Sequence, residues 1–198
     1  MKRFLTYIAA VSLLIMTSCD SWLDVKPYDK MSEDELVLTE QGFIKRLNGI
    51  YIELNSDMLY GGALSVEMIE IMGGAYVLGT DNAVWGNYTD LASYKYNTEY
   101  WRARMNEIWN KAYSLILNCN LLLENLETTE VKFSGDNEKV IKGEALALRA
   151  MLHFDMLRLF GPVYSRNPDL PAIPYYKRYS VTPNGLLTAS EVAQEITN

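Results

Sequence analysis

Apolar side chains in the middle of the chain recur with helical spacing. Over 100–127 they fall at Trp101, Met105, Ile108, Ala112, Ile116, Cys119, Leu123 and Leu126. Steps of four and three alternate without error, which puts all of them on one seam and predicts a long helix packed on another. The next stretch, 143–163, reads GEALALRAMLHFDMLRLFGPV and is denser still. At about 100° per residue, Lys142, Arg149 and His153 lie on one edge of it, and Glu144, Asp155 and Arg158 on the other. Leu146, Leu148, Met151, Leu152, Phe154 and Met156 fill the space between, so this helix is expected to have apolar neighbours on both sides. Gly161 supplies a stop and Pro162 forbids continuation. A short polar link, Phe133-Ser134-Gly135-Asp136-Asn137, joins the two runs, so they should lie antiparallel as a helical hairpin.

The flanking segments are weaker. Ser32-Glu33-Asp34-Glu35 has the form of a capping box, and Thr39 can cap a helix carrying Phe43, Leu47, Ile50, Tyr51 and Leu54. A second, shorter helix is expected from about residue 63 to 72. Between 73 and 98 helical periodicity vanishes, and Gly, Asn, Asp and Thr alternate with Tyr76, Trp85, Tyr88, Tyr94 and Tyr96. A loop of that length inside a compact domain is either functional or disordered, and its rings argue against disorder. Five prolines between Pro162 and Pro183 predict an extended, irregular excursion. Thr188 and Glu191 then form a capping box that opens a last helix through Val192, Ala193 and Ile196. The resulting fold class is all-α, built from packed helical hairpins with long irregular loops. Ala150, Phe154 and Pro162 echo the A-x₃-F…P pattern of tetratricopeptide helix pairs, though the period is not repeated.

Composition narrows the function. Half of the residues are hydrophobic (49%), enough for a core, and fourteen Tyr and four Trp outnumber five Phe. Rings with a polar handle suit interfaces and sugar-facing surfaces as well as cores. The net charge is −7, and setting aside Lys2 and Arg3 leaves 16 basic against 25 acidic groups, or −9. Such a chain has no electrostatic footprint for nucleic acid. Residues 1–18 have the basic start and short apolar run of an export signal. They end in Met16-Thr17-Ser18-Cys19, which resembles a bacterial lipobox with Met16 where Leu is usual. Cys19 is then the expected lipidation site; an ordinary secretory signal would leave it a free thiol. Residues 19–31 read as a lipid-anchored tether, and 32–198 as the helical domain. Cys119, on the helical seam, is expected to be a small buried hydrophobe.

Taken in order, the lipobox with Cys-Asp-Ser-Trp-Leu-Asp-Val-Lys-Pro, the hairpin, the central run and Leu-Pro-Ala-Ile-Pro-Tyr resemble the SusD/RagB family of Bacteroidetes. Pro162-Val163 departs from the family's usual residues after the central run. Family members are also considerably longer, so the chain looks like their N-terminal part, with the remaining domain missing or separately encoded. The resemblance implies a lipoprotein on the outer face of the outer membrane, capping a SusC-like TonB-dependent transporter. Such proteins capture oligosaccharides, or in some cases peptides, and hand them to the pore. It also puts forward, as ligand-facing, Asp81, Asn82, Trp85, Asn87 and Tyr88. Either ring alternatively plugs the core beneath the loop.

Chemistry for catalysis is sparse. His153, the only histidine, lies in the most apolar helix and reads as a structural residue. No nucleophile elbow, phosphate loop or metal-binding helix motif occurs. Glu67 and Glu70 are a carboxylate pair only in sequence, and glycoside hydrolysis needs two carboxylates across a cleft. Asp81, Asn82 and Asp90 lack calcium-loop spacing. No metal and no cofactor is expected. Arg149 and Arg158 are expected to pair with acidic neighbours. Three readings follow: a glycan-binding subunit of a transporter complex, a helical protein-interaction scaffold without a ligand site of its own, and, last, an exported glycan-cleaving enzyme.

Overall fold

The structure, a computed structural model, describes residues 36–79 and 83–198, the side chains of 83–85 excepted. The export signal, Cys19, the tether and the capping pattern at 32–35 lie outside the described residues. Within them the elements are α1 (Glu40–Leu54), α2 (Met68–Met72), α3 (Ala83–Ala92), α4 (Glu99–Thr128), α5 (Asn137–Phe160), β1 (Pro171–Pro174), β2 (Leu186–Thr188) and α6 (Ala189–Thr197). The fold is helical with long connecting loops, and the antiparallel β1–β2 pair is a minor addition.

The α4 seam forms as its spacing predicts. Thr98 caps the helix, its hydroxyl accepting from the Trp101 N–H at 3.4 Å. Trp101, Ile108, Ala112, Ile116, Cys119, Leu123 and Leu126 are buried, and Met105 packs half-buried against them. Each large aliphatic chain so buried contributes roughly 1.5–3 kcal/mol relative to exposure. Burial also pushes the Cys119 thiol up to about 12, away from any nucleophilic role at neutral pH.

α4 packs chiefly on α5, and the contacts descend along one helix as they ascend the other. The rings of Trp109 and Phe160 lie 4.9 Å apart, those of Tyr113 and His153 6.1 Å apart, and Arg149 donates to Asn120 Oδ1 at 2.9 Å. That order makes an antiparallel hairpin. α1 leans on both helices. Thr39 caps it through Gly42 N–H at 3.1 Å, and Phe43, Leu47, Ile50 and Leu54 are buried. Glu40 at its start accepts from Ser134 N–H at 3.0 Å and from Asn137, tying α1 to the turn that opens α5.

Four expectations need correction. The first concerns α5, which buries Ile141, Ala145, Leu148, Leu152, His153, Asp155, Met156 and Leu157 but leaves Leu146, Met151 and Phe154 39%, 37% and 49% exposed. The 73–98 stretch is not all loop, since α3 occupies ten of its residues. Gly86 and Asn87 are poor helix formers, so propensity hid α3. Tertiary contacts hold it: Leu91 is fully buried, and the Trp101 indole N–H donates to the Asn87 carbonyl at 2.7 Å. The short helix before it is confined to Met68–Met72, with turns winding from 55 to 67. The proline-rich excursion contains β1, which pairs with β2 across the base of α6. The Thr188–Glu191 capping box is present, with both reciprocal hydrogen bonds made.

Gly161 stops α5 for a reason other than left-handed backbone. Its conformation is extended, and a Cβ there would come within 2.5 Å of the Leu157 carbonyl oxygen.

Trp101 joins α3 to α4 through its fully buried ring and its indole hydrogen bond. Trp101→Ala is expected to lower stability by roughly 3–5 kcal/mol, read as the shift of the urea midpoint followed by circular dichroism.

Candidate functional site

A strap of residues 174–184 lies across α4 and α5 and is held to them by side-chain hydrogen bonds. Side chains on the two helices bind its main chain at successive positions. Tyr113 donates its phenol to the Pro174 carbonyl at 2.8 Å, and Asn120 Nδ2 donates to the carbonyls of Tyr176 and Arg178 at 3.1 and 3.3 Å. Arg149 bridges the Lys177 carbonyl and Asn120 Oδ1, both at 2.9 Å, so its partners are neutral where an acid was expected. The expected Arg158–Asp155 pair does form, at 2.9 Å, and Asp155 also accepts the Tyr60 phenol at 2.7 Å.

His153 completes the strap's anchorage and has no exposed surface. Its Nε2 accepts the Tyr176 N–H at 3.2 Å, which leaves the proton on Nδ1, donated to the Arg149 carbonyl at 2.9 Å. The ring stacks on Tyr175 at 4.0 Å. Burial lowers its pKa to about 4; the nearby Arg149 charge acts the same way, against the bond to the Arg149 carbonyl. It is neutral at pH 7 and serves as a structural acceptor.

Strap and α4 enclose a pocket of about 270 Å³ lined by Trp109, Tyr113, Asn120, Tyr176, Arg178 and Val181, among others. Trp109 is braced between Tyr113 at 4.6 Å and Phe160 at 4.9 Å.

The residues put forward from the sequence lie elsewhere, around α3. Asp81 and Asn82 fall outside the described residues, and of Trp85 only the backbone, within α3, is described. Asn87 contributes its carbonyl to the Trp101 indole. Tyr88 donates its phenol to Glu67 at 2.7 Å and sets its ring edge-on to Trp101 at 5.9 Å. Burial first, then the hydrogen bond to Glu67, pushes the Tyr88 phenol up to about 12. Glu67 is held as well by Arg104 at 2.9 Å, so it is not a free carboxylate to pair with Glu70. Asn87 and Tyr88 thus hold α3 against α4.

Two other tyrosines of the same stretch behave differently. Tyr76 and Tyr94 are 51% and 61% exposed, yet their phenols are fixed, donating to the Val66 carbonyl at 2.8 Å and the Met72 carbonyl at 2.9 Å. Tyr94 has a φ of +58°. It occupies the left-handed position after α3, where its own N–H bonds Leu91 and that of Lys95 bonds Asp90. Glycine is the usual residue at that position of such a stop, and Gly74 fills the equivalent place after α2 with a φ of +74°. A tyrosine there costs roughly 1–2 kcal/mol of backbone strain. Sequence reading noticed both rings but could not single them out, because exposure and backbone sign are not written in residue spacing.

Among the described residues no group of three or more His, Cys, Asp or Glu side chains is placed to hold a metal ion. None of the described helices is long and apolar enough to cross a membrane.

Residues 21–194 match the model of the SusD-like family described as starch-binding and associating with the outer membrane. The chain belongs to that family of non-catalytic, outer-membrane carbohydrate-binding proteins. It is 28% identical over 177 residues to a SusD-like protein of Formosa agariphila, covering 82% of this chain and 31% of that protein. Among solved structures, a SusD-like carbohydrate-binding protein from Bacteroides vulgatus superposes with a TM-score of 0.64 at 25% identity, over 80% of this chain and 33% of the other. A SusD superfamily protein from Bacteroides thetaiotaomicron shares the fold at a TM-score of 0.61 and 20% identity, over 81% and 35%. The chain therefore spans about a third of the length of these relatives.

Neutral His153 links the strap to pH. Its pKa is about 4 folded and near 6.5 unfolded, so the unfolded chain takes up the proton first. The stabilisation is complete above pH 6.5 and lost as pH falls from 6.5 to about 4, in total roughly 3 kcal/mol. Urea denaturation at pH 4.5 and 7.5 should show a smaller stability difference for His153→Gln than for the wild type.

Proposed function

We propose that this chain is the helical part of a lipid-anchored cell-surface protein that binds oligosaccharides and passes them to a SusC-like, TonB-dependent outer-membrane transporter. Membership of the carbohydrate-binding family supports the glycan. The observation that carries a binding surface on this chain is the exposed, phenol-fixed pair Tyr76 and Tyr94 beside α3. Sugar rings present apolar CH faces that stack on aromatic rings, and a ring already fixed loses little freedom on binding. Backbone strain at Tyr94 persists without any gain in core packing, as is common at ligand-binding positions. Asp81, Asn82, Trp85, Asn87 and Tyr88 are the further ligand-facing residues proposed in this reading. Side-chain amides and carboxylates there would receive sugar hydroxyls, while Tyr88 and the Asn87 backbone keep α3 in place.

Cys19 is the lipid attachment point in this reading, and the α4–α5 hairpin is of tetratricopeptide-like type. Residues 32–198 then form the helical SusD-like N-terminal domain, and the chain spans about a third of the length of its relatives. A second reading, a protein-interaction scaffold within the same complex, is favoured by the partly exposed apolar side chains Leu146, Met151 and Phe154 of α5.

Titration calorimetry with maltoheptaose, xylohexaose, laminarihexaose and mannohexaose separates the two readings. At least one should bind the wild type, and the double variant Tyr76→Ala, Tyr94→Ala should bind it roughly tenfold or more weakly, two stacked rings being lost. Unchanged affinity removes the tyrosines from the site, and no binding across the panel leaves the scaffold. In whole cells, radiolabelled palmitate should appear on the wild type and not on Cys19→Ser, and external protease should cut the protein without lysis.

A further inference from the structure

Away from α3, the pocket under the strap has the properties of a binding site in its own right. It shares no lining residue with the 73–98 stretch, and its floor is set in α4 from Trp109 to Asn120. Along the helix axis Trp109 lies about 12 Å beyond Trp101, at 1.5 Å rise per residue. The walls are rigid for a stated reason. Asn120, only 1% exposed, uses its amide nitrogen on two strap carbonyls and its oxygen on Arg149, and His153 holds the Tyr176 N–H. A fully satisfied buried polar network of this kind specifies one geometry. It also cannot turn to meet a ligand, so Asn120 is wall and not contact.

What remains facing the pocket is chemically mixed. The Trp109 and Tyr113 rings, tilted 40° to one another, form an aromatic corner, with Tyr176 edge-on to Tyr113 at 5.8 Å. The Tyr113 hydroxyl is spent on Pro174, which leaves its ring and not its polar end for a ligand. Toward solvent the lining changes to Ser180, Thr182 and Arg178, whose side chain is 71% exposed and meets Glu127 at 3.3 Å. Val181 at the rim is 82% exposed. An apolar plug would strip water from Arg178 and the two hydroxyl residues without replacing it. A six-membered sugar ring offers a CH face for the aromatic corner and hydroxyls for the rim. The volume, about 270 Å³, lies just below the range of roughly 300–1,000 Å³ usual for drug-sized ligands and matches one such ring. Because Asn120 and Tyr176 close the inner side, a glycan must enter by its end.

We infer that the pocket between α4 and the 174–184 strap is a second carbohydrate subsite, which receives the terminal neutral hexose of an oligosaccharide on Trp109 and Tyr113. This rests on the glycan-binding reading above.

The test uses the full chain and the same four oligosaccharides. Val181→Trp places a large side chain at an exposed rim position, where folding is not at stake, and should block the pocket. Its affinity for the bound oligosaccharide should fall about tenfold or more with an unchanged melting temperature. Trp109→Phe keeps an aromatic floor and removes one fluorophore, and should abolish most of the ligand-induced change in tryptophan emission seen in the wild type. Wild-type affinity in Val181→Trp, or an undiminished emission change in Trp109→Phe, overturns the subsite. Glycan binding through the tyrosines at 76 and 94 survives either result. A wild type that binds none of the four overturns the glycan reading and the subsite together.

Discussion

Every other feature of this molecule leans on one interface, that of α4 with α5. Its apolar stripes supply most of the burial in the hairpin, and the same two helices present the polar side chains that organise what lies outside it. Asn120 and Arg149 face each other across the interface and turn their remaining bonds onto the strap. His153 does the same from the next turn of α5. Loss of the hairpin would therefore remove a core and, with it, the mould in which a proline-rich loop acquires shape.

That loop illustrates how irregular backbone becomes ordered. Prolines between 162 and 183 remove donors and block helix, so the strap meets only some of its own carbonyls, those of Tyr175 and Thr182, from Asn184 and Ser180. Unpaired, each buried carbonyl would cost about 1–3 kcal/mol. The helices instead lend side-chain donors at matching intervals, and the pocket under the strap is a consequence of that spacing. Rigid walls need little ordering when a ligand arrives, which is the physical basis for treating the cavity as more than a packing gap.

Around α3 the logic is reversed. Tyr88, Asn87 and Leu91 are committed to holding a weak helix against α2 and α4, while Tyr76 and Tyr94 stay outside with fixed hydroxyls. Both helix stops in this region use a left-handed residue, yet one is Gly74 and the other Tyr94. Strain accepted for an exposed ring makes sense where the ring meets something other than the protein itself. Membership of a starch-binding family is the reason a carbohydrate is the partner proposed for it.

Much of this was legible in residue order alone. The seam from Trp101 to Leu126, the caps at Thr39 and Thr188 and the hairpin follow from periodicity and local hydrogen bonding, which act over three or four residues. The burial of Cys119 and the structural role of His153 were legible for the same reason. Only the tertiary structure decided that Leu146, Met151 and Phe154 of α5 stay partly exposed, because apolar content does not say which side a neighbour takes. It decided that α3 is a helix, since Gly86 and Asn87 argue otherwise until the Trp101 indole donates to the Asn87 carbonyl. It also decided that Arg149 serves carbonyls and not carboxylates, and that the fixed rings are Tyr76 and Tyr94. Those outcomes depend on groups dozens of residues apart meeting in space, and no local spacing carries that information.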